Sequence, residues 1–243
     1  MYYGEQKEIP SIFFDTVEET HINKCQFCEK DLLNSNQPYL IEKAFKQKEV
    51  INEYAVCMNC AQDMQSKMSK ESMQSIEKYM MEKSQIHERQ DAMQDISQRI
   101  QVLTDEKDNL SNKAPKPQST DELEALIDND LFDDEVIKII DKELAKLYND
   151  KEQLYSQWFG HCMVKNTPKS EQNEYTIQGM FMGNKMVQNH LYPQMLGTQA
   201  LEEIQELLSP ETREELNRIK DEFFNIPPEL AELFKDPKFT LGF

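Results

Sequence analysis

Glycine is scarce in this chain, with 6 among 243 residues. Sandwiches, barrels and doubly wound sheets rely on glycine at their tight turns, so the shortage disfavours all three. The sequence also lacks a phosphate-binding glycine loop, a G-x-S-x-G elbow, an H-E-x-x-H helix and a dinucleotide fingerprint. Positive charge is short as well: 27 lysines and arginines face 45 acids, for a formal net charge of −18. A surface of that sign repels phosphate backbones and anionic lipid, which disfavours nucleic acid and membrane as partners. No apolar run approaches the length that spans a bilayer. The opening "MYYGEQKEIPSIFF" has no basic start followed by an apolar stretch, so no secretory signal is expected. The expected location is cytoplasmic, where the five cysteines stay reduced and form no disulfide framework.

Hydrophobic residues make up 38% of the chain and charged residues 30%. That balance is polar for one deep core and places much of the apolar material in amphipathic helices. The acid is unevenly spread. Residues 119–152 hold 12 acids against 4 lysines, whereas residues 21–60 hold 5 of each sign. The neutral stretch is also where four of the cysteines stand.

"CQFCEK" carries Cys25 and Cys28, and "YAVCMNCAQDMQSKM" carries Cys57 and Cys60. The pattern is C-x2-C, 28 intervening residues, C-x2-C. A two-residue gap lets both thiolates of a knuckle point at one ion, and two knuckles complete a tetrahedron. "PYLIEKAF" and "EVINEYAV" read as two strands, and "AQDMQSKM" as a helix starting at Cys60. With this setting, residues 21 to about 70 resemble a treble-clef or zinc-ribbon-type module. The reading is a four-cysteine site for structural Zn2+ held by Cys25, Cys28, Cys57 and Cys60.

Other chemistries fit less well. Rubredoxin-type iron sites share the gap but usually carry Pro and Gly in their knuckles, and neither occurs here. A thioredoxin-like redox site needs one such pair rather than two. No histidine lies between Cys28 and Cys57, so a His-metal nuclease lacks its catalytic residues. His21, four residues before Cys25, reads as a surface residue rather than a ligand. Four thiolates leave no open position for water, so the metal holds the chain and does no chemistry. Structural zinc gives small modules about 10–16 kcal/mol of apparent binding free energy. The metal is expected to replace the core that so short a module cannot build.

The next stretch, "MQSKMSKESMQSIEKYMMEK", reads as a helix with a methionine stripe facing a core. Beyond it, Met93, Ile96, Ile100, Leu103, Lys107 and Leu110 step by 3 and 4. Ile137, Ile140, Leu144, Leu147, Lys151, Leu154 and Trp158 do the same. Each is a coiled-coil seam. Between them lie the breaker "SNKAPKPQST" and the acidic "DELEALIDNDLFDD", read as a short helix and loop. Two seams around a breaker predict an antiparallel helical hairpin whose paired positions sum to about 250. Leu103 then meets Leu147, and Lys107 and Lys151 snorkel to water.

"YTIQGMFMGNKMVQNHLY" reads as a β-hairpin turning at Gly183-Asn184. Thr198 and Ser209 read as caps of two following helices, with Pro210 in the first turn of the second, and "IPPELAELF" as a third. His161, Cys162 and His190 are the other candidates for chemistry. A Cys–His nucleophile pair must meet in space with its base oriented by a third group, which adjacent residues rarely achieve. No catalytic residue is assigned.

The expected fold class is α+β and mostly helical. Residues 1–80 form the treble-clef-like zinc module. Residues 81–160 form the antiparallel helical-hairpin arm, with a loop near 111–133. Residues 161–243 form the C-terminal β-hairpin and short acidic helices. The expected function is that of a zinc-stabilised, non-enzymatic protein-interaction or adaptor protein. It binds another protein through the arm or an acidic face, and the arm also offers a route to a homo-oligomer. The alternative is a nucleic-acid-associated regulator binding through the zinc module. That requires folding to gather Lys24, Lys30, Lys43, Lys46 and Lys48 on one face.

Overall fold

A computed structural model describes residues 5–111 and 120–223. Among these residues the chain forms six α-helices and one antiparallel six-stranded sheet, an α+β fold. Residues 1–89 and 157–243 make one compact unit, and residues 90–156 a second. The helix read at "IPPELAELF" lies outside the described residues. No helix among the described residues is long and apolar enough to cross a membrane.

The sheet belongs to the first unit. Strands β2 (Tyr39–Lys46) and β3 (Glu49–Cys57) form the hairpin legible in the sequence. Its turn residues, Gln47 and Lys48, take φ of 51° and 73°. Positive φ at both central positions is what a two-residue type I′ hairpin turn demands. Strand β4 (Glu174–Met182) turns into β5 (Lys185–Gln188) through Gly183. Gly183 has φ 56° and Asn184 has no positive φ, as a type II′ turn requires.

The hairpin of residues 39–57 does not stand alone. β2 pairs with β4 over eight positions, from Tyr39 opposite Phe181 to Lys46 opposite Glu174. Two four-residue strands complete the sheet. β1 (Glu5–Glu8) lies against β5, and β6 (Gln194–Gly197) shares the outer edge of β4 with β5. The strand order is β1-β5-β4-β2-β3, with β6 beside β4.

Alternation sorts the side chains. Tyr39, Ile41 and Phe45 share a face with Tyr175, Ile177 and Phe181, all buried. Tyr39 stacks on Phe181, and Phe45 on Tyr175. Gly179 sits in this face because a Cβ there would come within 2.9 Å of the Phe13 and Phe181 rings. The opposite face carries a buried polar row. Gln194 donates to Gln178, and Gln178 donates to Glu42, across three adjacent strands.

The methionine-rich run is two helices, α1 (Met58–Ser66) and α2 (Lys70–Lys83). Ser69 breaks it because its hydroxyl accepts from the Ser72 N–H and caps α2. Helix α5 (Thr198–Glu206) begins without a side-chain cap. Thr198 Oγ1 instead donates to the Glu174 carbonyl and accepts the Glu174 N–H, fixing the helix start to β4. Ser209 does cap α6 (Pro210–Phe223), taking the Thr212 N–H at 3.2 Å.

Helix α3 spans Ile86–Ser111, and α4 spans Thr120–Gly160 without interruption. The loop expected near 111–133 is therefore helical from Thr120 onward. Arg89 of α3 stacks on Trp158 of α4, 4.7 Å from the ring centroid. In the second unit Lys107 of α3 pairs with Asp141 of α4 at 2.6 Å. From the first contact to the second the α3 number rises while the α4 number falls, so the helices run antiparallel. The paired numbers sum to 247 and 248. Ile96, Ile140 and Leu147 are buried, whereas Ile100, Leu103, Leu110, Leu144 and Leu154 are half-buried. Lys151, expected to snorkel, is 3% exposed.

Candidate metal centre

The first pair of thiols sits in a tight loop. Lys24 bridges Asp31, the Cys25 N–H donates to the Lys30 carbonyl, and the Glu29 N–H returns to the Cys25 carbonyl. Glu29 takes φ 57°, which lets the chain double back. The loop is docked on the sheet. Gln26 N–H donates to the Ala55 carbonyl at 2.8 Å, covering the edge of β3, and the Phe27 ring meets Tyr54 edge-on.

The second pair is placed by the end of β3. Cys57 is extended, with φ −67° and ψ 152°, and stands at the N-cap of α1. The helix starts at Met58, two residues before the expected Cys60, so both thiols belong to its first turn. Cys57 uses no side-chain cap bond, which leaves its sulfur for other work. Its N–H donates to Cys25 Sγ at 3.4 Å and ties the pairs together.

The four Sγ atoms lie within 4.8 Å of one another, with Cys28 and Cys57 3.8 Å apart. A tetrahedral ion with Zn–S bonds of about 2.3 Å needs sulfurs about 3.8 Å apart. The donor set therefore fits a tetrahedral thiolate site, and the cluster can hold a metal ion. Cys25 and Cys57 are buried, Cys60 is half-buried and Cys28 is exposed.

The thiols are not electrically equivalent. Burial pushes Cys25 up, partly offset by the Cys57 N–H. The Lys30 N–H holds exposed Cys28 below the usual thiol range. Burial and then the neighbouring thiols push Cys60 far up. Four negative sulfurs this close repel one another, and a divalent cation relieves that repulsion. The α1 N-terminus adds favourable dipole at Cys57 and Cys60.

His21 is not in the cluster: its ring packs edge-on against Phe14 at 4.7 Å. His161 Nδ1 lies 3.2 Å from the Gln157 carbonyl, and Cys162 is fully buried, its sulfur accepting the Gly197 N–H. Burial pushes the His190 imidazole below its usual range. Of the five lysines near the cysteines, Lys43 is buried against Glu53 at 2.6 Å, with further bonds to Phe14 and Thr16. Lys46 pairs with Glu174 at 2.8 Å, and Lys30 donates to Gln37.

Compared with protein-family models, curated proteins and solved structures, the chain matches none.

Proposed function

We propose that this chain is a zinc-stabilised, non-enzymatic protein-interaction or adaptor protein. The observation that carries the reading is the four-thiol cluster. Filled by one Zn2+, it has no vacant position at which water or substrate could be activated. A loop bearing Cys25 and Cys28, the β2–β3 hairpin, and a helix starting at Met58 with Cys57 as its N-cap follow the order of a treble clef. Here the hairpin continues into a six-stranded sheet, so the metal stiffens one end of a larger body. The interaction surface we assign to the coiled-coil-like pair α3–α4. It is acidic, and Val102, Ile139 and Tyr148 are exposed on it. Apolar side chains set among charges suit a protein partner. The nucleic-acid reading is weaker, because Glu53 and Glu174 already engage Lys43 and Lys46.

Proximity labelling in the native cell tests the reading. The intact chain is compared with one bearing V102E, I139E and Y148E. A defined protein labelled by the first and lost from the second supports it. An unchanged protein set, with DNA or RNA retained in a steeply salt-dependent way, favours the nucleic-acid alternative.

A further inference from the structure

The loop that carries Cys25 has a counterpart around Cys162. The Cys25 N–H donates to the Lys30 carbonyl, the Glu29 N–H returns to the Cys25 carbonyl, and Lys24 bridges Asp31. The Cys162 N–H donates to the Thr167 carbonyl, the Asn166 N–H returns to the Cys162 carbonyl, and His161 bridges Pro168. Glu29 and Asn166 take φ of 57° and 52°. The loops also dock alike. Gln26 N–H donates to the Ala55 carbonyl of β3, and Met163 N–H to the Met195 carbonyl of β6. Each sulfur then accepts an N–H from the end of that strand. Cys25 takes it from Cys57 at 3.4 Å, and Cys162 from Gly197 at 3.3 Å.

The match extends outward in the same chain order. "YLIEKAF" in β2 and "YTIQGMF" in β4 share Tyr, Ile and Phe at the same spacing. Tyr39 stands opposite Cys57 of β3 as Tyr175 stands opposite Gly197 of β6. Where β2 meets β4, Tyr39 faces Phe181 and Phe45 faces Tyr175, the reciprocal pairing that a two-fold axis produces. Helices α1 and α5 have nine residues each, and α2 and α6 fourteen each.

We propose that residues 24–83 and 161–223 are two copies of one unit, and that Cys162, Lys165, Gly197 and Ala200 occupy the metal position of the second copy. Their counterparts are Cys25, Cys28, Cys57 and Cys60. Cys162 alone among the second four is a ligand type. Lys165, in the place of Cys28, reaches both Glu203 oxygens at 2.6 Å and so joins the loop to α5 without an ion. A Cβ at Gly197 would run into the Gln172 amide, whose oxygen takes the Thr198 N–H. The second copy is a metal-independent clasp, and the ion governs one copy of the two. The inference rests on the metal reading of the cysteine cluster, and the test separates them.

The full-length protein, stripped of metal under reducing conditions, is titrated with Co2+, whose thiolate charge-transfer absorption counts filled sites. The parent should take one ion. Lys165→Cys, Gly197→Cys and Ala200→Cys, combined with Gln172→Ala to make room, should add a second with the same spectrum. A parent that takes none overturns the metal reading, yet an ion in the rebuilt variant would still support the two copies. Hydrogen exchange on the unaltered protein decides even where the rebuilt variant folds poorly. Chelation should speed exchange about tenfold or more at Cys25, Gln26 and Glu29, and leave Cys162, Met163 and Asn166 within about twofold. Lys165→Met should loosen the second loop and not the first. A folded rebuilt variant with no added ion, both loops loosening together on chelation, or a second loop indifferent to Lys165→Met would overturn the proposal.

Discussion

The hydroxyl oxygens of Ser69 and Ser209 lie 3.0 Å apart although 140 positions separate them in sequence. They are the N-caps of α2 and α6, and the two helix starts complete each other. Ser69 N–H donates to Thr212 Oγ1 at 2.9 Å, and Ser209 N–H donates to Ser72 Oγ at 2.8 Å. Ser72 and Thr212 are fully buried. Removing the Thr212 hydroxyl as Thr212→Val should cost about 1–2 kcal/mol, since the half-buried Ser69 N–H loses its acceptor. A double-mutant cycle with Ser69→Ala in urea should return a coupling of at least about 0.5 kcal/mol. Strict additivity would mean the two caps are independent.

The metal prediction follows from where the cysteines stand in the sheet. The sequence alone suggests a module whose core is its metal. In the structure β2 is bonded to β3 on one side and to β4 on the other, so the sheet has backbone pairing besides the thiols, although Cys25 and Cys57 pack into its core. Protein purified without chelator should carry one zinc per chain. After chelation, β2 and β4 amides should keep their exchange protection while those of Cys25, Gln26 and Glu29 lose theirs. Cys57→Ser should abolish zinc binding with only a small change in far-ultraviolet dichroism. Global unfolding on chelation would show that the sheet needs the ion.

The features legible in the sequence are those that local chemistry determines. Spacing along the chain brings Cys25 to Cys28 and Cys57 to Cys60, and strand patterning marks β2 and β3. Gly183 announces its turn because glycine takes positive φ at no steric cost. The Gln47-Lys48 turn gives no such signal, having neither glycine nor asparagine. Strands β1 and β6 are four residues each and exist through pairing with distant partners. Glu42, Gln178 and Gln194 look like a solvent face until three strands assemble and hydrogen-bond them in a row. Arg89 likewise shows nothing in sequence of its burial against Trp158. The acidic stretch after Thr120 reads as part loop because its charge masks a helix continuous with α4.

Glu203 supports a pH prediction. Its carboxylate takes Lys165 Nζ at 2.6 Å and the Tyr79 hydroxyl at 2.7 Å, joining α5 to α2. The Lys165 bonds, then the Tyr79 bond, hold the carboxyl below the usual range. A depressed folded value contributes stability that is complete above the ordinary glutamate range near about pH 4.3. That stability is lost as pH falls through the folded value. Partial exposure limits the effect, so Glu203→Gln should cost about 0.5–1 kcal/mol at neutral pH. In urea melts taken from pH 7 downward, the gap between variant and parent should close in acid. A gap that stays constant would assign the effect to shape rather than charge.

The last prediction concerns the helical pair. Lys107 meeting Asp141 sets the register, and it places Leu147 near the middle of the seam. Leu147 is 1% exposed, whereas Leu103 is half-buried and Ile139 is 64% exposed. Burial along the two helices is unequal among the described residues, so the mutations should be unequal too. Leu147→Ala removes a fully enclosed side chain and should cost about 3 kcal/mol, within the usual span for such truncations. Leu103→Ala should cost roughly half of that, because water already reaches the site. Ile139→Ala should stay within about 0.5 kcal/mol. Residues 90–156 form their own compact unit, so hydrogen exchange resolved along α3 and α4 is the proper measurement. Leu147→Ala should speed exchange on both helices while β2 and β4 stay protected. Equal costs at Leu147 and Ile139 would mean that the pair has no defined seam, and the interaction surface assigned to it would lose its scaffold.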